Sequence, residues 1–237
     1  MKYTNIYNNT ESRTFDSGIR NYMHSIYRNM SIALLVSAVV AFIVGNSHSL
    51  LGMLYSNPII ALIVQLSPVF FVYNFGRSIM NLEVQEARNK LYIFSGLMGL
   101  SLSTIFVFYT RQSIMEMFLT TSLTFGCMSL YGYTTKRDLT SLGSFLTMGI
   151  FGLCIASIIN LFIRNTSCSL GMSYIGVVIF TLYIAFNVQN LKRLYNYMGI
   201  NSENSERIAV LGALNLYITF INLFTTLLHL FGNRRSN

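Results

Sequence analysis

Asn215, Thr219, Asn222, Thr226 and His229 follow one another at steps of four, three, four and three residues, which puts five hydrogen-bonding side chains in one stripe down a helix. Tyr183, Asn187 and Asn190 repeat the spacing on a shorter stretch, and Asn160 is a further amide inside an apolar run. Side chains of this kind are costly against lipid, so both stripes are expected to face the interior of a helix bundle, with Asn160 joining them. Two chemistries are open to them. They are either polar glue between helices, worth about 0.6–2 kcal/mol per bond, or the lining of a path for water and ions. Glu116 is the one acidic residue within an apolar run and lies near its end. A carboxylate there either snorkels to the interface or concentrates cations at the mouth of a polar cavity.

Catalysis needs a nucleophile with a base, or paired acids. His24, His48 and His229 are far apart, Cys127 and Cys154 fall inside apolar runs, and Cys168 falls in a predicted loop after the fifth run. No nucleophile elbow, zinc-protease helix or disulfide framework is present. His229 could pair with a hydroxyl on another helix, but an isolated His near a span end reads as an interfacial hydrogen-bonder. The sequence therefore predicts no enzyme, no cofactor and no metal site.

The elements that carry these residues are unusually apolar. Of 237 residues, 53% are hydrophobic and only 10% charged, with a mean hydropathy of +0.51; a soluble domain carries about 25% charge. Seven stretches, near 30–45, 58–75, 91–109, 114–133, 143–163, 172–190 and 208–231, are each about the 20 residues that cross ~30 Å of hydrocarbon. The expected fold is all-α, a polytopic seven-helix transmembrane bundle. A cytoplasmic segment 1–28, a membrane domain 29–232 and a tail 233–237 divide the chain. No cleavage site follows a short apolar core, so the first stretch reads as an uncleaved helix.

Basic residues set the orientation. Lys2, Arg13, Arg20, Arg28, Arg77, Arg88, Lys90, Lys136, Arg137, Lys192, Arg193 and Arg207, twelve of sixteen, fall on one side, against Arg111, Arg164, Arg234 and Arg235 on the other. Basic loops stay cytoplasmic, which predicts a cytoplasmic N-terminus. The net charge of +8 is then topological, with some attraction to anionic headgroups, and points to no nucleic-acid partner. Before the first span, Ile19, Tyr22, Met23, Ile26, Tyr27 and Met30 recur at helical spacing and predict an interfacial helix. Pro68 removes a backbone hydrogen bond and predicts a kink near Ser67. Gly96, Gly99, Gly149 and Gly152 are expected at close helix contacts.

Residues 124–162, TFGCMSLYGYTTKRDLTSLGSFLTMGIFGLCIASIINLF, with Tyr131, Lys136, Arg137, Asp138, Leu139 and Gly143 at fixed spacing, closely resemble the signature of the Bax inhibitor-1 family. Residues 214–232, LNLYITFINLFTTLLHLFG, resemble its closing helix, and IRNYMHSIYRNM its lead-in. The resemblance implies a seven-helix bundle with a cytoplasmic N-terminus. Bacterial members are described as pH-sensitive calcium leak channels, and some as modulators of a membrane-anchored ATP-dependent protease; eukaryotic members suppress cell death. In the leak mechanism, aspartates in helices six and seven share a proton and engage an arginine in helix two. Here those positions align with Asn187 and Thr219, and Arg77 is the candidate arginine. Neither Asn nor Thr titrates between pH 5 and 8, so the proton switch is expected to be missing. Glu116 stands 22 residues before Asp138, a spacing that some bacterial members share.

The resemblance leaves two roles. One is an ion-permeable bundle, with calcium as the permeant ion and Glu116, Asn187, Thr219 and Asn222 along its path. The other is a non-conducting partner of another membrane protein. Richness in Asn, Ile and Ser and short loops suit a bacterial inner membrane, with the lipid bilayer as the constant partner. Tyr55, Tyr109, Tyr131, Tyr133 and Tyr195 supply the interfacial belt in a chain without tryptophan.

Overall fold

The computed structural model describes the backbone of residues 2–78, 82–198 and 202–235, and the side chains of 17–76, 82–197 and 205–235. Every regular element among them is helical: α1 Lys2–Asn46, α2 His48–Tyr55, α3 Pro58–Ser78, α4 Val84–Leu102, α5 Ile105–Phe108, α6 Arg111–Thr134, α7 Thr140–Ile163, α8 Thr166–Met198 and α9 Ser202–Phe231. Six stretches are long and apolar enough to cross a membrane: Ser17–Asn46, Pro58–Gly76, Val84–Phe108, Thr140–Ile163, Thr166–Tyr197 and Ser205–Phe231. The seventh expected stretch, 114–133, is the 24-residue α6, which is richer in hydroxyls. Thr120, Thr121, Ser122 and Thr124 each donate to the carbonyl four residues earlier, so these four hydroxyls are satisfied within the helix.

α9 is the centre of the bundle, touched by α1, α4, α6 and α8. Ala209, Val210, Ala213, Leu216, Tyr217 and Leu223 on it are completely buried. α7 packs on α8, and α3 on α4 and α2, at the rim. Large apolar side chains such as Phe145, Phe151 and Phe162 point outward, as they do where hydrocarbon replaces water as solvent.

Two local expectations change, at the stripe before the first span and at Cys168, while Pro68 falls inside a helix as expected. The stripe from Ile19 to Met30 does not lie on an interface: α1 runs unbroken through residues 28 and 29, and Ile19, Tyr22, Met23, Ile26 and Met30 are buried against protein. α3 continues through Pro68. The carbonyl that Pro68 orphans is that of Val64, four residues back, and Ser67 Oγ donates to it at 2.9 Å, which keeps the helix satisfied without a break. The third span is the one that breaks. Ser103 N and Oγ both donate to Leu100 O, and Thr104 Oγ1 to Ser101 O, tightening the turn between α4 and α5. Cys168 lies in the first turn of α8 rather than in a loop.

The intramembrane glycines divide by what faces them. A Cβ on Gly99 would come within 2.7 Å of Ser37 O, and one on Gly149 within 2.8 Å of Ile179 Cδ1, whereas Gly96 and Gly152 face open space. At Gly132 a Cβ would run into the backbone of Ala185, against its carbonyl oxygen. Gly132→Ala should therefore cost about 1–3 kcal/mol by overpacking against a backbone that cannot move aside. Gly152→Ala should be neutral. Thermal unfolding of the two variants in the same detergent checks the contrast.

Candidate functional site

The signature residues form a clamp on α8. The turn between α6 and α7 is gripped by three polar side chains of α8. Gln189 accepts from Leu139 N at 2.9 Å and donates to Arg137 O at 2.8 Å. Lys192 Nζ donates to Tyr133 O at 3.1 Å and sits over the Tyr133 ring. Arg193 pairs with Asp138 at 2.7 Å and donates to Thr140 Oγ1. Asp138 Oδ1 also accepts from the Thr140 hydroxyl and amide at 2.6 and 2.8 Å, which caps the start of α7. The Thr140 hydroxyl and amide, followed by Arg193, hold the Asp138 carboxyl down at about 2.

Glycines complete the grip. Gly132 on α6 meets the backbone of Ala185, and Gly143 on α7 is the seat of the Phe186 ring. The turn of α8 just before Asn187 is thus wedged between α6 and α7. The side chains of Tyr131, Lys136 and Arg137 stay exposed. The signature residues with internal roles do not line the α8–α9 contact; they position the helix that does.

Asn187 and Thr219, the positions where the family resemblance implies a carboxylate pair, lie against one another. Asn187 Nδ2 donates to Thr219 Oγ1 at 3.3 Å, and both residues are almost fully buried, at 4% and 3% exposure. Thr219 Oγ1 in turn donates to Asn215 O at 2.8 Å. The apolar residues Ile184, Val188, Leu216 and Phe220 surround them in sequence and are themselves buried. An amide and a hydroxyl satisfying one another in such surroundings form a stable contact with no charge to solvate.

The rest of the two stripes is graded in burial. Asn222 and Thr226 are half-buried, and Asn215 and Asn190 are exposed, so α8 and α9 enclose the middle of the seam and leave its flanks open. Thr226 Oγ1 donates to Asn222 O at 2.6 Å. Asn160 does not join. It caps α7, its Oδ1 accepting from Asn165 N and its carbonyl from Arg164 N, with Arg164 in the left-handed region at φ 55°. Glu116 is exposed on α6 and accepts from Gln112 Nε2 at 2.8 Å. α6 meets α9 through rings instead, Phe118 on Phe220 and Phe224, and Phe125 on Phe220. Arg77 lies near the end of α3, with its side chain outside the described residues.

Two polar contacts were not visible in the stripes. Ser37 Oγ and Tyr217 OH lie 2.6 Å apart in the core, joining α1 to α9; Ser37 is a lone hydroxyl in an apolar run, and that is its only signal. His229 is paired after all. Its Nε2 lies 2.7 Å from Ser169 Oγ and its Nδ1 3.3 Å from Tyr109 OH, which fastens the end of α9 to α8 and to the corner before α6.

Replacing Thr219 by Val should cost about 1–3 kcal/mol, because the buried Asn187 amide loses its acceptor. Adding Asn187→Leu should recover much of that loss, since no unpaired amide then remains. A double-mutant cycle by thermal unfolding checks it. At the clamp, the sign follows from a lowered carboxyl: its contribution is complete above the ordinary value of 3.8 and is lost as pH falls toward 2. Hydrogen exchange in residues 134–140 should therefore be unchanged by the state of Asp138 between pH 8 and about 4. Asp138→Asn should raise it throughout that range.

A family model described as "Inhibitor of apoptosis-promoting Bax1" matches residues 19–236. The chain is 40% identical over 230 residues to the uncharacterised protein RP147 of Rickettsia prowazekii, covering 95% of each chain. It is 36% identical over 220 residues to the inner membrane protein YbhL of Escherichia coli, covering 92% of this chain and 94% of that one. A protein of Borreliella burgdorferi is 37% identical over 216 residues, with 91% and 93% covered. With a family match spanning nearly its whole length, its own signature residues clamping α8 and six helices fit to cross a bilayer, the chain belongs to the Bax inhibitor-1 family of membrane proteins.

Proposed function

We infer that this chain is a seven-crossing protein of the bacterial inner membrane with a cytoplasmic N-terminus, and that it is an ion-permeable bundle with calcium as the expected ion. Its constriction is the neutral Asn187–Thr219 contact. Four features support the topology: the lopsided basic residues, the length of α6, the internal satisfaction of the hydroxyls from Thr120 to Thr124, and the similarity to a protein named for the inner membrane. The buried Asn187–Thr219 hydrogen bond carries the functional reading. It falls where the family resemblance implies a carboxylate pair, at the closed middle of a polar seam whose flanks at Asn215 and Asn222 are more open.

An amide and a hydroxyl do not ionise near neutral pH. The contact therefore lacks the proton switch, and Arg77 has no carboxylate at either position to latch. Glu116, exposed near the start of α6, is the entry carboxylate of this reading. Catalysis has no place in it. Ser169 and His229 pair closely, but the amides of Ser167 and Cys168 beside them are taken by Asn165 Oδ1, so these amides cannot stabilise an oxyanion.

The second reading is a non-conducting regulator of another membrane protein, such as a membrane-anchored ATP-dependent protease. What favours it is the turn at Lys136 and Arg137, whose exposed side chains are presented at positions fixed by Gln189 and Arg193. A stoichiometric partner on mild solubilisation is required by this reading and not by the first.

Calcium flux into liposomes separates them. The unsubstituted protein should conduct with little change between pH 6 and 8. In Asn187→Asp/Thr219→Asp, two close carboxylates raise one another's pKa and share a proton at the lower pH. As the second ionises they repel, so flux in this variant should rise with pH. Glu116→Gln should lower flux at low calcium. No flux from folded protein of either form would contradict conduction and leave the partner role.

A further inference from the structure

Where α4 breaks into α5, the bundle opens a trough between α1 and α6. Its walls are Leu34, Ala38 and Phe42 on α1 and Ile114, Phe118 and Leu119 on α6, with Phe224 of α9 at its base. The cavity is about 480 Å³ and almost wholly apolar. At its end, beyond the Phe42–Phe106 ring contact, lies a second cavity of about 660 Å³ that shares Phe106 and is more polar than the first. It holds Asn46, His48, Arg111 and Arg235. The two adjoin along the same helices: Leu34, Ala38, Phe42 and Asn46 follow one face of α1, and Arg111, Ile114 and Phe118 one face of α6.

The dimensions and charges select an occupant. From Leu34 to Asn46 the trough runs about 18 Å along α1 at ~1.5 Å per residue, close to the ~15 Å depth of one leaflet of a ~30 Å core. An apolar hollow at this depth is filled by hydrocarbon, because an empty one forfeits its dispersion contacts. At the polar end, Arg111 donates to Asn46 Oδ1 and Arg235 to Phe106 O. Each guanidinium has five N–H donors, so donors remain for an anion. Among the described acidic residues, Glu83, Glu86, Glu116, Asp138 and Glu206, none lines either cavity, and Glu116 bonds to Gln112.

We propose that this composite groove binds one anionic phospholipid, an acyl chain lying in the α1–α6 trough and its phosphate held between Arg111 and Arg235. The lipid then fills the gap that the α4–α5 break creates and ties α1 to α6 across it. Arginine forks suit phosphate oxygens in two-point contact. The site is separate from the Asn187–Thr219 seam and does not depend on conduction.

Native mass spectrometry of protein extracted from bilayers of equal phosphatidylcholine and phosphatidylglycerol tests it. The unsubstituted protein should retain one lipid, with phosphatidylglycerol preferred about tenfold, a ratio that corresponds to ~1.4 kcal/mol. Arg111→Gln/Arg235→Gln should keep a lipid but lose the preference. Ala38→Phe, at an exposed position inside the trough, should lose retained lipid of both kinds; if it does not fold, the arginine variant decides alone. Equal retention of the two lipids by the unsubstituted protein would overturn the proposal, as would unchanged preference in the arginine variant. Displacement of the lipid by inorganic phosphate at constant ionic strength would also overturn it, by assigning the cationic end to a free ion.

Discussion

A polar side chain in the middle of this bundle has no water to fall back on, and that requirement organises the fold around α9. The helix is buried on nearly all sides, yet it carries Asn215, Thr219, Asn222, Thr226 and His229. Each of the inner groups has a partner that protein supplies: Thr219 has Asn187 and the carbonyl of Asn215, and Tyr217 has Ser37. His229 has Ser169 and Tyr109. These contacts tie α9 to α8, to α1 and to the corner before α6, so satisfying the central helix also fixes its neighbours.

The family signature acquires a mechanical meaning in this setting. Its residues lie one layer out, where Gln189, Lys192 and Arg193 hold the turn before α7 and where Gly132 and Gly143 let α6 and α7 press on Ala185 and Phe186. A Cβ at either glycine would push back on the turn of α8 that carries Asn187. Asp138 is held ionised by Thr140 and Arg193, so the clamp stays closed at any pH a cell meets. A charged, permanent clamp outside and a neutral contact inside divide the labour: the first sets position, the second sets what the seam responds to.

Periodicity revealed the helices and the central stripe, because burial in lipid leaves a helix few ways to hide a polar face; the pairing of the Asn187 and Thr219 positions was implied by the family resemblance alone. It could not reveal features that depend on what stands opposite. Asn215 and Asn190 share the spacing of their buried neighbours but face the open flanks of the seam. Gly96 and Gly152 read like Gly99 and Gly149, yet nothing approaches them. The break after Leu102 falls at Ser103 and Thr104, and serine and threonine elsewhere in this chain bond within an unbroken helix. Asn160 is a cap because the chain turns at Arg164, and His229 found its hydroxyls through a tertiary approach from 60 and 120 residues away.

The chain has no tryptophan, so one introduced ring reports alone. Tyr183 is half-buried on α8, one turn from Asn187. The emission maximum of Tyr183→Trp in bilayers, followed from pH 6 to 8, addresses the neutral seam most directly. An emission maximum that stays constant with Asn187 and Thr219 intact is the predicted result. A shift to longer wavelength with pH in that same protein would mean that the seam opens to water by titration of some other group, and would contradict the account.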